Sequence, residues 1–411
     1  MIKKRVVITG MSAITPLGNS WEEFKKNIQQ GQSGVEYIPE WENIKELNTR
    51  LAAPIKDFSL PAHYTRKKMR TMGKVSKMAV RATEQAIAQS GLSEHTIIGD
   101  GNTGVSYGSC TGSTDAMKDF TKLISDSDIS DVNATTYIRM MGHTAAVNIA
   151  VFFGLQGRVI NTSTACTSGS QGIGYAYEAI QNGKQTIMLA GGAEELCASE
   201  AAIFDTLYAT SLKNNTPSKT PRPFDKDRDG LVIGEGACTL VLEEFEHAKQ
   251  RGGTILAELI GFGTNCDGNH VTQPTAETMG TVMQLTLNDA SVNANDIGYV
   301  NAHGTATQIG DIAESSATHA IFGSKTPFSS LKGHIGHTLG ACGAIEAWAS
   351  INMMNDSWLA PTLNLDNVAE ECAKLDYVKG NGRASKINMV MSNNFAFGGI
   401  NTSLIFKKYE E

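Results

Sequence analysis

The stretch that decides the fold is NTSTACTSGSQGIG, residues 161–174, with Cys166 at its centre. It follows the apolar pair Val159 and Ile160, and residues 175–180 after it have helical spacing. Small residues flank the cysteine on both sides, as a sharp turn from a strand into a buried helix requires. The pattern therefore predicts a strand, a tight turn that carries Cys166, and a helix packed inside the protein.

A thiol at such a turn lies at the positive end of the helix dipole, beside backbone N–H groups that have no helical partner. Both features stabilise a thiolate, so we expect the pKa of Cys166 to lie below its usual value of about 8.5. The same N–H groups are placed to hold an oxyanion during acyl transfer. The stretch therefore indicates a nucleophilic cysteine. The alternative is a buried, unreactive cysteine, which is the more common case for a lone Cys.

The composition is that of an ordinary globular enzyme, with 41% hydrophobic and 19% charged residues in a chain of 411. The net charge of −7 argues against a nucleic-acid binder. No apolar run approaches the roughly 18 residues of a membrane helix. The cysteines are odd in number and contain no CxxC pair, which favours free thiols in a reducing compartment, hence the cytoplasm. They lie at positions 110, 166, 197, 238, 266, 342 and 372.

Strands and helices alternate along the chain, which predicts an α/β fold with mostly parallel sheets. The pair Gly252-Gly253 marks an internal boundary, so we expect an N-terminal half at 1–250 and a C-terminal half at 251–411. The two halves share one order of elements, which suggests an ancient duplication. Strands are predicted at 5–10, 103–109, 186–193, 236–242, 255–263, 297–301, 327–330, 387–393 and 401–407.

Two histidines of the second half are candidates for the site. His303 comes directly after an apolar strand at 297–300, and ligands bind at the carboxyl ends of strands in α/β folds. His337 lies in the glycine-rich loop KGHIGHTLGACGA, before a helix of small residues. A lone histidine is more often structural, and His334, three residues earlier, is predicted to be so.

Four motifs occur in one order and spacing, and together they resemble the β-ketoacyl-[acyl-carrier-protein] synthases of the I/II type. The resemblance covers essentially the whole chain. It implies a thiolase-like fold in which two βαβαβαββ halves stack as five αβαβα layers. The motifs are TACTSG at 164–169, NAHGTAT at 301–307, KGHIGH at 332–337 and NFAFGG at 394–399.

The resemblance also implies an acyltransferase with a triad of Cys166, His303 and His337 and no cofactor, because an acyl carrier protein brings the substrates on phosphopantetheine. Cys166 would accept the acyl chain, and both histidines would donate N–H groups to the enolate that malonyl-carrier protein forms on losing CO2. The backbone N–H groups of Cys166 and Phe397 would hold the oxyanion of the condensation.

Further residues match supporting positions of the family. Lys332 and Glu314 would form a pair that orients the histidines, although a surface ion pair is the alternative. No metal is required, but some relatives hold a structural monovalent cation near residues that match Asn301, Glu346, Ser392 and Asn393. The residues expected to contact pantetheine or the acyl chain are Thr305, Thr307, Phe204 and the gatekeeping Phe397.

A basic cluster stands out in this acidic chain. Because carrier proteins are strongly acidic, the cluster would speed their encounter with the enzyme, and a solvated helix face is the alternative. Its residues are Arg66, Lys67, Lys68, Arg70, Lys74 and Lys77.

The chain also departs from the housekeeping pattern. Ala396 stands where relatives usually have Gly, and Ile400 where they have Thr, so we expect a restricted hinge in the gatekeeper loop. Mixed type I and type II features resemble synthases of aryl-polyene or polyketide clusters, which leaves that role open beside fatty acid synthesis.

We expect a homodimer or a heterodimer with a chain-length factor. A non-catalytic chain-length-factor-like partner or scaffold is the alternative, but chain-length factors lack the nucleophile that Cys166 supplies.

Overall fold

The computed structural model describes residues 3–410. Its strands are β1 Val6–Ile14, β2 Glu36–Tyr37, β3 Leu51–Ala53, β4 Thr103–Gly108, β5 Val159–Thr162, β6 Ile187–Glu194, β7 Ile233–Gly234, β8 Gly236–Glu244, β9 Ala257–Cys266, β10 Tyr299–Asn301, β11 Pro327–Ser329, β12 Trp358–Leu359, β13 Asp376–Tyr377, β14 Arg383–Ala384, β15 Met389–Phe395 and β16 Ile400–Lys407. Its helices are α1 Trp21–Gln29, α2 Arg66–Met69, α3 Lys74–Gln89, α4 Met117–Asp126, α5 Ala134–Met140, α6 Thr144–Phe153, α7 Ser168–Gln181, α8 Ala198–Asp205, α9 Phe245–Gln250, α10 Ala276–Ala290, α11 Gln308–Phe322, α12 Lys332–Ile335 and α13 Cys342–Asp356.

Over the described residues, eleven strands form one sheet in the order β13-β11-β10-β15-β16-β9-β1-β8-β6-β4-β5. β1 and β9 join its two halves through only three residue pairs, from Val6–Leu259 to Ile8–Ala257. The order β1-β8-β6-β4-β5 of the first half recurs as β9-β16-β15-β10-β11 in the second. This repetition supports the predicted duplication, while the domain limits at residue 250 stay a prediction.

The sheet is mixed, so the expectation of mostly parallel strands is wrong. β4 pairs in parallel with β5 and β6, and β10 does so with β11 and β15. The strands at the junction of the halves are antiparallel: β1 to β8 and β9, β8 to β6, and β16 to β9 and β15. One of these pairs has a local cause: the short turn at 396–399 joins β15 to β16, so these two strands must run in opposite directions.

Helices lie on both faces of each half and between the halves. α7 and α13 occupy the middle and contact strands of both halves. α3 and α6 cover the outer face of the first half, and α10 and α11 cover that of the second. The predicted five-layer αβαβα arrangement is therefore confirmed. Buried apolar side chains fill the spaces between the layers.

The two middle helices cross at very short range. A Cβ atom at Gly169 of α7 would lie 2.9 Å from the carbonyl oxygen of Gly340, and one at Gly343 of α13 would lie 2.8 Å from Cβ of Ser170. Real Cβ atoms do not approach other groups this closely. The small residues around Cys166 are thus required by the crossing, which also brings the loop before α13 against the turn before α7.

No helix within residues 3–410 is both long and apolar enough to cross a membrane.

Candidate active site

Cys166 lies in the turn between β5 and α7, as the sequence predicts. Ala165 adopts a left-handed conformation with φ of 50°, which strains a residue that has a Cβ atom. The hydroxyl of Ser168 holds the turn: it accepts the N–H of Thr164 at 2.9 Å and donates to the carbonyl of Ala165 at 2.7 Å. The thiol of Cys166 faces inward, since the residue is 4% exposed.

The two histidines approach from the second half. His303 follows β10, and the carboxylate of Glu314 accepts the backbone N–H groups of His303 and Gly304, both at 2.7 Å. His337 follows α12 after Gly336, whose φ of 67° suits glycine. The backbone N–H of His337 donates to Val232 of the first half at 2.7 Å. Each histidine loop is therefore held by its backbone.

The three residues lie together. Nε2 of His337 is 3.0 Å from Sγ of Cys166, and the two imidazole centroids are 5.1 Å apart. The sulfur and one nitrogen of each ring lie within 4.8 Å of one another. All three residues are buried. The structure thus brings the predicted Cys-His-His group to one place.

Hydrogen bonds determine where each imidazole carries its proton. Nζ of Lys332 lies 3.2 Å from Nδ1 of His303 and has only protons to offer. The backbone N–H of Leu339 donates to Nδ1 of His337 at 3.2 Å. Because Nδ1 is the acceptor in both rings, the proton of each neutral ring is on Nε2. Both Nε2–H groups are therefore available as donors in the space beside the sulfur.

Burial determines the protonation states of Cys166, His303 and His337. It lowers the pKa of His303 and of His337 well below the usual value, and the positive charge of Lys332 adds to this effect. Both rings are therefore neutral at neutral pH. Burial also raises the pKa of Cys166 to about 11, although the N–H of Phe397 and the charge of Lys332 lower it. The expected depression of the thiol pKa is wrong, because desolvation outweighs the local donors.

Lys332 has a different partner from the predicted one. Its Nζ forms a salt bridge with Glu346 at 2.5 Å, and both side chains are at most 1% exposed, so a surface ion pair is excluded. Glu314 instead holds the backbone of the His303 loop. Asn394, to which the sequence assigned no role, donates to the second oxygen of Glu346 at 2.7 Å. Lys332, Glu346 and Asn394 form one buried network behind His303.

A cavity of about 650 Å³ opens onto the three residues. The hydroxyls of Thr305 and Thr307 lie 3.0 Å apart on its wall. The rings of Phe204 and Phe397 meet edge to face, with centroids 6.0 Å apart. All four residues expected to contact the substrate line this cavity, together with the triad.

The gatekeeper turn does not need glycine at position 396. The residues in the left-handed region are Gly398 and Gly399, with φ of 92° and 77°, and Ala396 is not one of them. The N–H of Ala396 donates to the carbonyl of Ile400 at 2.7 Å, closing the turn. The hinge restriction expected from the methyl group of Ala396 is therefore not supported by the backbone of this turn.

The residues matched to a cation site fit one only in part. Oδ1 of Asn301 is buried and has no hydrogen-bond donor among the described residues, which suits a cation ligand. Ser392 accepts a long hydrogen bond of 3.4 Å from the amide of Asn301. However, Oδ1 of Asn393 already accepts the hydroxyl of Ser403, and the carboxylate of Glu346 is committed to Lys332.

The basic cluster lies on α2 and the start of α3 and does not line the cavity. Lys74 already has an intramolecular partner, because its Nζ lies 2.6 Å from the buried carboxylate of Glu235. Nζ of Lys68 lies 4.8 Å from the centre of the Phe152 ring. Arg66, Lys67 and Arg70 are exposed and form no salt bridge with a described residue.

Comparisons with known proteins agree over the whole chain. The sequence profiles of the beta-ketoacyl synthase N-terminal and C-terminal domains match residues 3–248 and 256–366. The 3-oxoacyl-[acyl-carrier-protein] synthase 2 of Vibrio harveyi is 37% identical, with 100% of each chain covered. A crystal structure of a beta-ketoacyl synthase from Burkholderia phymatum is 57% identical, with a TM-score of 0.98, and the alignment covers 99% of this chain and 100% of that one. A ketosynthase in complex with its chain length factor from Xenorhabdus doucetiae is 26% identical, with a TM-score of 0.85 and coverage of 99% and 98%.

Proposed function

We propose, from the premise that this chain belongs to the β-ketoacyl synthase family, that Cys166, His303 and His337 perform its decarboxylative condensation. The enzyme is a β-ketoacyl-[acyl-carrier-protein] synthase, an acyltransferase that elongates an acyl chain. One observation carries the assignment of roles: two neutral imidazoles present Nε2–H groups to the space beside a buried thiol.

The first step loads the acyl group. The thiol of Cys166 gives up its proton to solvent, and its thiolate attacks the thioester carbonyl of the acyl-carrier protein. An acyl–sulfur bond forms at Sγ, the acyl–sulfur bond to the carrier breaks, and the carrier thiolate leaves and takes up a proton. One thioester replaces another, so the exchange costs little. The N–H groups of Cys166 and Phe397, both of which act on Sγ, are placed to stabilise the oxyanion of this step.

The second step removes CO2 from malonyl-carrier protein. As the carbon–carbon bond breaks, its electron pair forms an enolate whose negative charge develops on the thioester oxygen. The Nε2–H groups of His303 and His337 donate to that oxygen. Neutral donors buried away from water are already oriented when the charge appears, which lowers the barrier. Neither ring needs to give up its proton.

The third step joins the two carbons. The enolate carbon attacks the acyl carbonyl on Cys166, and the tetrahedral intermediate expels the thiolate of Cys166 and leaves a β-ketoacyl-carrier protein. The thiolate then takes a proton from solvent. Lys332, held by Glu346, keeps Nδ1 of His303 an acceptor, and Glu314 fixes the backbone beneath that ring. Both act as positioning residues.

The remaining cavity residues bind the substrate. Thr305 and Thr307 offer hydroxyls to the amides of the pantetheine arm, and Phe204 and Phe397 contact the acyl chain. The proposed chemistry uses no cofactor beyond the phosphopantetheine of the carrier. A monovalent cation, if one is held by Asn301 and Ser392, would stabilise the pairing of β10 with β15.

Intact-protein mass spectrometry tests the triad. Incubation with an acyl-carrier protein should add one acyl mass to the wild-type chain and none to Cys166→Ala. The His303→Ala and His337→Ala variants should still accept the acyl group yet lose CO2 release from malonyl-carrier protein by about 10²–10³-fold each. Acylation of Cys166→Ala at the wild-type rate would refute the assignment and favour a scaffold role.

The basic cluster is proposed as the docking site of the acidic carrier protein. Exposed Arg66, Lys67 and Arg70 support this, because they are available to a partner. Exchange of Lys67 and Lys68 for Glu should raise the KM for carrier-bound substrates at low salt, and acyl-pantetheine should be unaffected. Lys26 and Lys45, exposed elsewhere, give a matched double exchange as the control. Unchanged KM at low salt would remove the docking proposal.

A second copy of the chain is proposed to pair along β5. Among the described strands β5 forms one edge of the large sheet, and Val159 on it is 48% exposed. Val151 is 74% exposed on α6, which packs on β5, and Ile129 and Tyr137 in the segment before α6 are 68% and 51% exposed. An uncovered edge with such neighbours favours association. Light scattering should give a dimer mass, and Val159→Lys should give monomers; a monomeric wild type would exclude the homodimer and leave the heterodimer with a chain-length factor.

The aryl-polyene or polyketide role stays a prediction beside primary fatty acid synthesis. A panel of saturated, unsaturated and aryl primers on the carrier protein, with product masses measured, distinguishes the two. Preference for saturated chains would place the enzyme in fatty acid elongation.

A further inference from the structure

A second group of metal-ligand side chains lies on the Nδ1 side of His303. Within residues 3–410, two groups of three His, Cys, Asp or Glu side chains have ligand atoms within 4.8 Å of one another. One is the catalytic group, and the other consists of His303, Cys342 and Glu346, all of them buried. Imidazole nitrogen, thiolate sulfur and carboxylate oxygen are the atoms that bind Zn²⁺ in proteins, and three such ligands with one open position are enough for a zinc site.

Two donors lie among these three ligand atoms. Nζ of Lys332 forms a salt bridge with Oε1 of Glu346 at 2.5 Å and lies 3.2 Å from Nδ1 of His303. Nδ2 of Asn394 donates to Oε2 of Glu346 at 2.7 Å. The same nitrogen lies 3.4 Å from Nδ1 of His303 and 3.8 Å from Sγ of Cys342. The ligand atoms therefore converge, and Lys332, at 1% exposed, is a buried cation in contact with two of them.

The amide of Asn394 is held in an orientation that leaves its oxygen without a partner. Oδ1 is buried and has no hydrogen-bond donor among the described residues. A buried acceptor without a donor is unfavourable, and native structures contain few of them. The amide adopts this orientation because every atom that faces its N–H groups accepts hydrogen bonds. Surroundings that attract donors at such a cost also attract a metal cation.

We propose that the ammonium of Lys332 occupies a latent zinc site and keeps Zn²⁺ out of it. The ligands of that site are Nδ1 of His303, Sγ of Cys342 and a carboxylate oxygen of Glu346. Nδ1 carries no proton, so its lone pair is available. Either occupant leaves the buried group neutral: the ammonium balances the carboxylate, whereas Zn²⁺ balances the carboxylate and the thiolate that forms when Cys342 gives its proton to solvent. This role of Lys332 goes beyond the condensation chemistry and does not depend on it.

Exclusion of zinc protects the turn that carries the nucleophile. Sγ of Cys342 donates to the backbone carbonyl of Cys166 at 3.2 Å. A thiolate bound to Zn²⁺ has no proton to donate, so metal binding would remove this hydrogen bond from the turn. The catalytic group is closed to zinc in another way, since the N–H of Leu339 donates to Nδ1 of His337 and keeps the proton on Nε2. Exclusion from the second group therefore depends on Lys332.

Removal of the ammonium should open the site to zinc. Lys332→Ala leaves the space of the side chain empty, so the full chain, freed of metal by a chelator, should bind one equivalent of Zn²⁺ with a Kd of about 1 µM or below. The wild type should bind none with this affinity. Competition against a chromophoric zinc chelator measures both proteins. Zn²⁺ should also raise the thermal unfolding midpoint of Lys332→Ala, by about 3 °C, and leave that of the wild type unchanged.

Second substitutions assign the ligands. In the Lys332→Ala background, Cys342→Ala should weaken zinc binding more than about 100-fold, whereas Cys166→Ala should leave it unchanged. Lys74→Ala is the matched control, because Nζ of Lys74 also pairs with a buried carboxylate, that of Glu235. Glu235 belongs to neither group of three ligands within residues 3–410, so this variant should gain no zinc site.

Two results would overturn the exclusion of zinc by Lys332. One is a wild type that binds Zn²⁺ as tightly as Lys332→Ala and loses it in Cys342→Ala. The other is a folded Lys332→Ala that binds no Zn²⁺, or binds it equally well without Cys342. Lys332→Met serves if Lys332→Ala does not fold: it keeps most of the packing, its flexible side chain can turn aside, and it should bind Zn²⁺ where the wild type does not.

Discussion

Nε2 of His337 lies 3.0 Å from Sγ of Cys166, although 171 positions separate the two residues in the chain. The contact depends on the crossing of α7 and α13, because each residue lies in the loop before one of these helices. The proton on Nε2 follows from a bond on the other side of the ring, where Leu339 donates to Nδ1. The packing of the helices thus sets the position of His337, and one backbone N–H leaves the Nε2–H group free for the donor role that we propose.

Replacement of Lys332 by Met should separate the two half-reactions. Without Nζ, the only donor left at Nδ1 of His303 is the amide of Asn394 at a long 3.4 Å. The proton of His303 is then held on Nε2 less firmly, so CO2 release should fall about 10²–10³-fold. Acylation of Cys166 should fall by less than about tenfold. The comparison of CO2 release with acyl-enzyme mass checks this, and equal losses in both would contradict it.

The same variant leaves Glu346 buried without its cation, which should cost about 3–5 kcal/mol of unfolding free energy. The double variant Lys332→Met with Glu346→Gln removes that charge. It should recover most of the stability but none of the CO2 release, which separates the positioning role from a structural one.

The reactivity of Cys166 should keep rising with pH. With its pKa raised to about 11, only the small thiolate fraction reacts, so alkylation by iodoacetamide should accelerate about tenfold per pH unit between about pH 6 and 9. Peptide mapping of the labelled protein measures the rate at Cys166 alone, and the exposed Cys266 in the same digest controls for reagent and time. A plateau near neutral pH would instead support the depressed pKa expected from the sequence.

The helix crossing should tolerate no added methyl group. At Gly169→Ala the new Cβ would lie 2.9 Å from the oxygen of Gly340, so we expect a loss of about 1–3 kcal/mol. Gly280→Ala, in α10, is the matched control: it has no heavy atom within 4 Å and should stabilise the protein by about 0.5–1 kcal/mol. Urea unfolding of both variants measures the difference. A neutral Gly169→Ala would show that the crossing can relax.

Acid should destabilise the protein through its buried histidines. Burial lowers the pKa of His303, His334 and His337 in the native state, whereas in the unfolded chain each titrates near the usual value of about 6.5. Below that pH the unfolded state binds more protons than the native state, so stability falls by up to about 1.4 kcal/mol per pH unit for each histidine. Denaturant unfolding at several values between about pH 5 and 7 measures the slope. His337→Asn should reduce this contribution by about one third, and an unchanged slope would count against it.

Much of the fold could be predicted because short stretches of the sequence indicate the local structure that they form. The small residues around Cys166 indicate a crowded turn, and the structure shows that the crossing of α7 and α13 causes the crowding. The family motifs place His303 and His337 in glycine-rich loops at strand and helix ends, and the structure has them there. The direction of strand pairing could not be predicted in this way, because alternation of strands and helices does not reveal which strands meet at the junction of the halves.

The errors at the site have one physical origin. The pKa of Cys166 was expected to fall because the sequence reveals the helix and its N–H groups, but it does not reveal how completely the thiol is removed from water. The partner of Lys332 was misassigned because Glu346 comes from a helix that only the packing brings to it.

The short motifs of the chain were enough to single out the groups that we propose do the chemistry, a thiol and two imidazoles, because the side chains and their order are written in the sequence. The tertiary structure alone decided their protonation, their partners and their separations. Those properties depend on burial and on distances of a few ångströms between residues that are remote in sequence, and only the packed fold sets them.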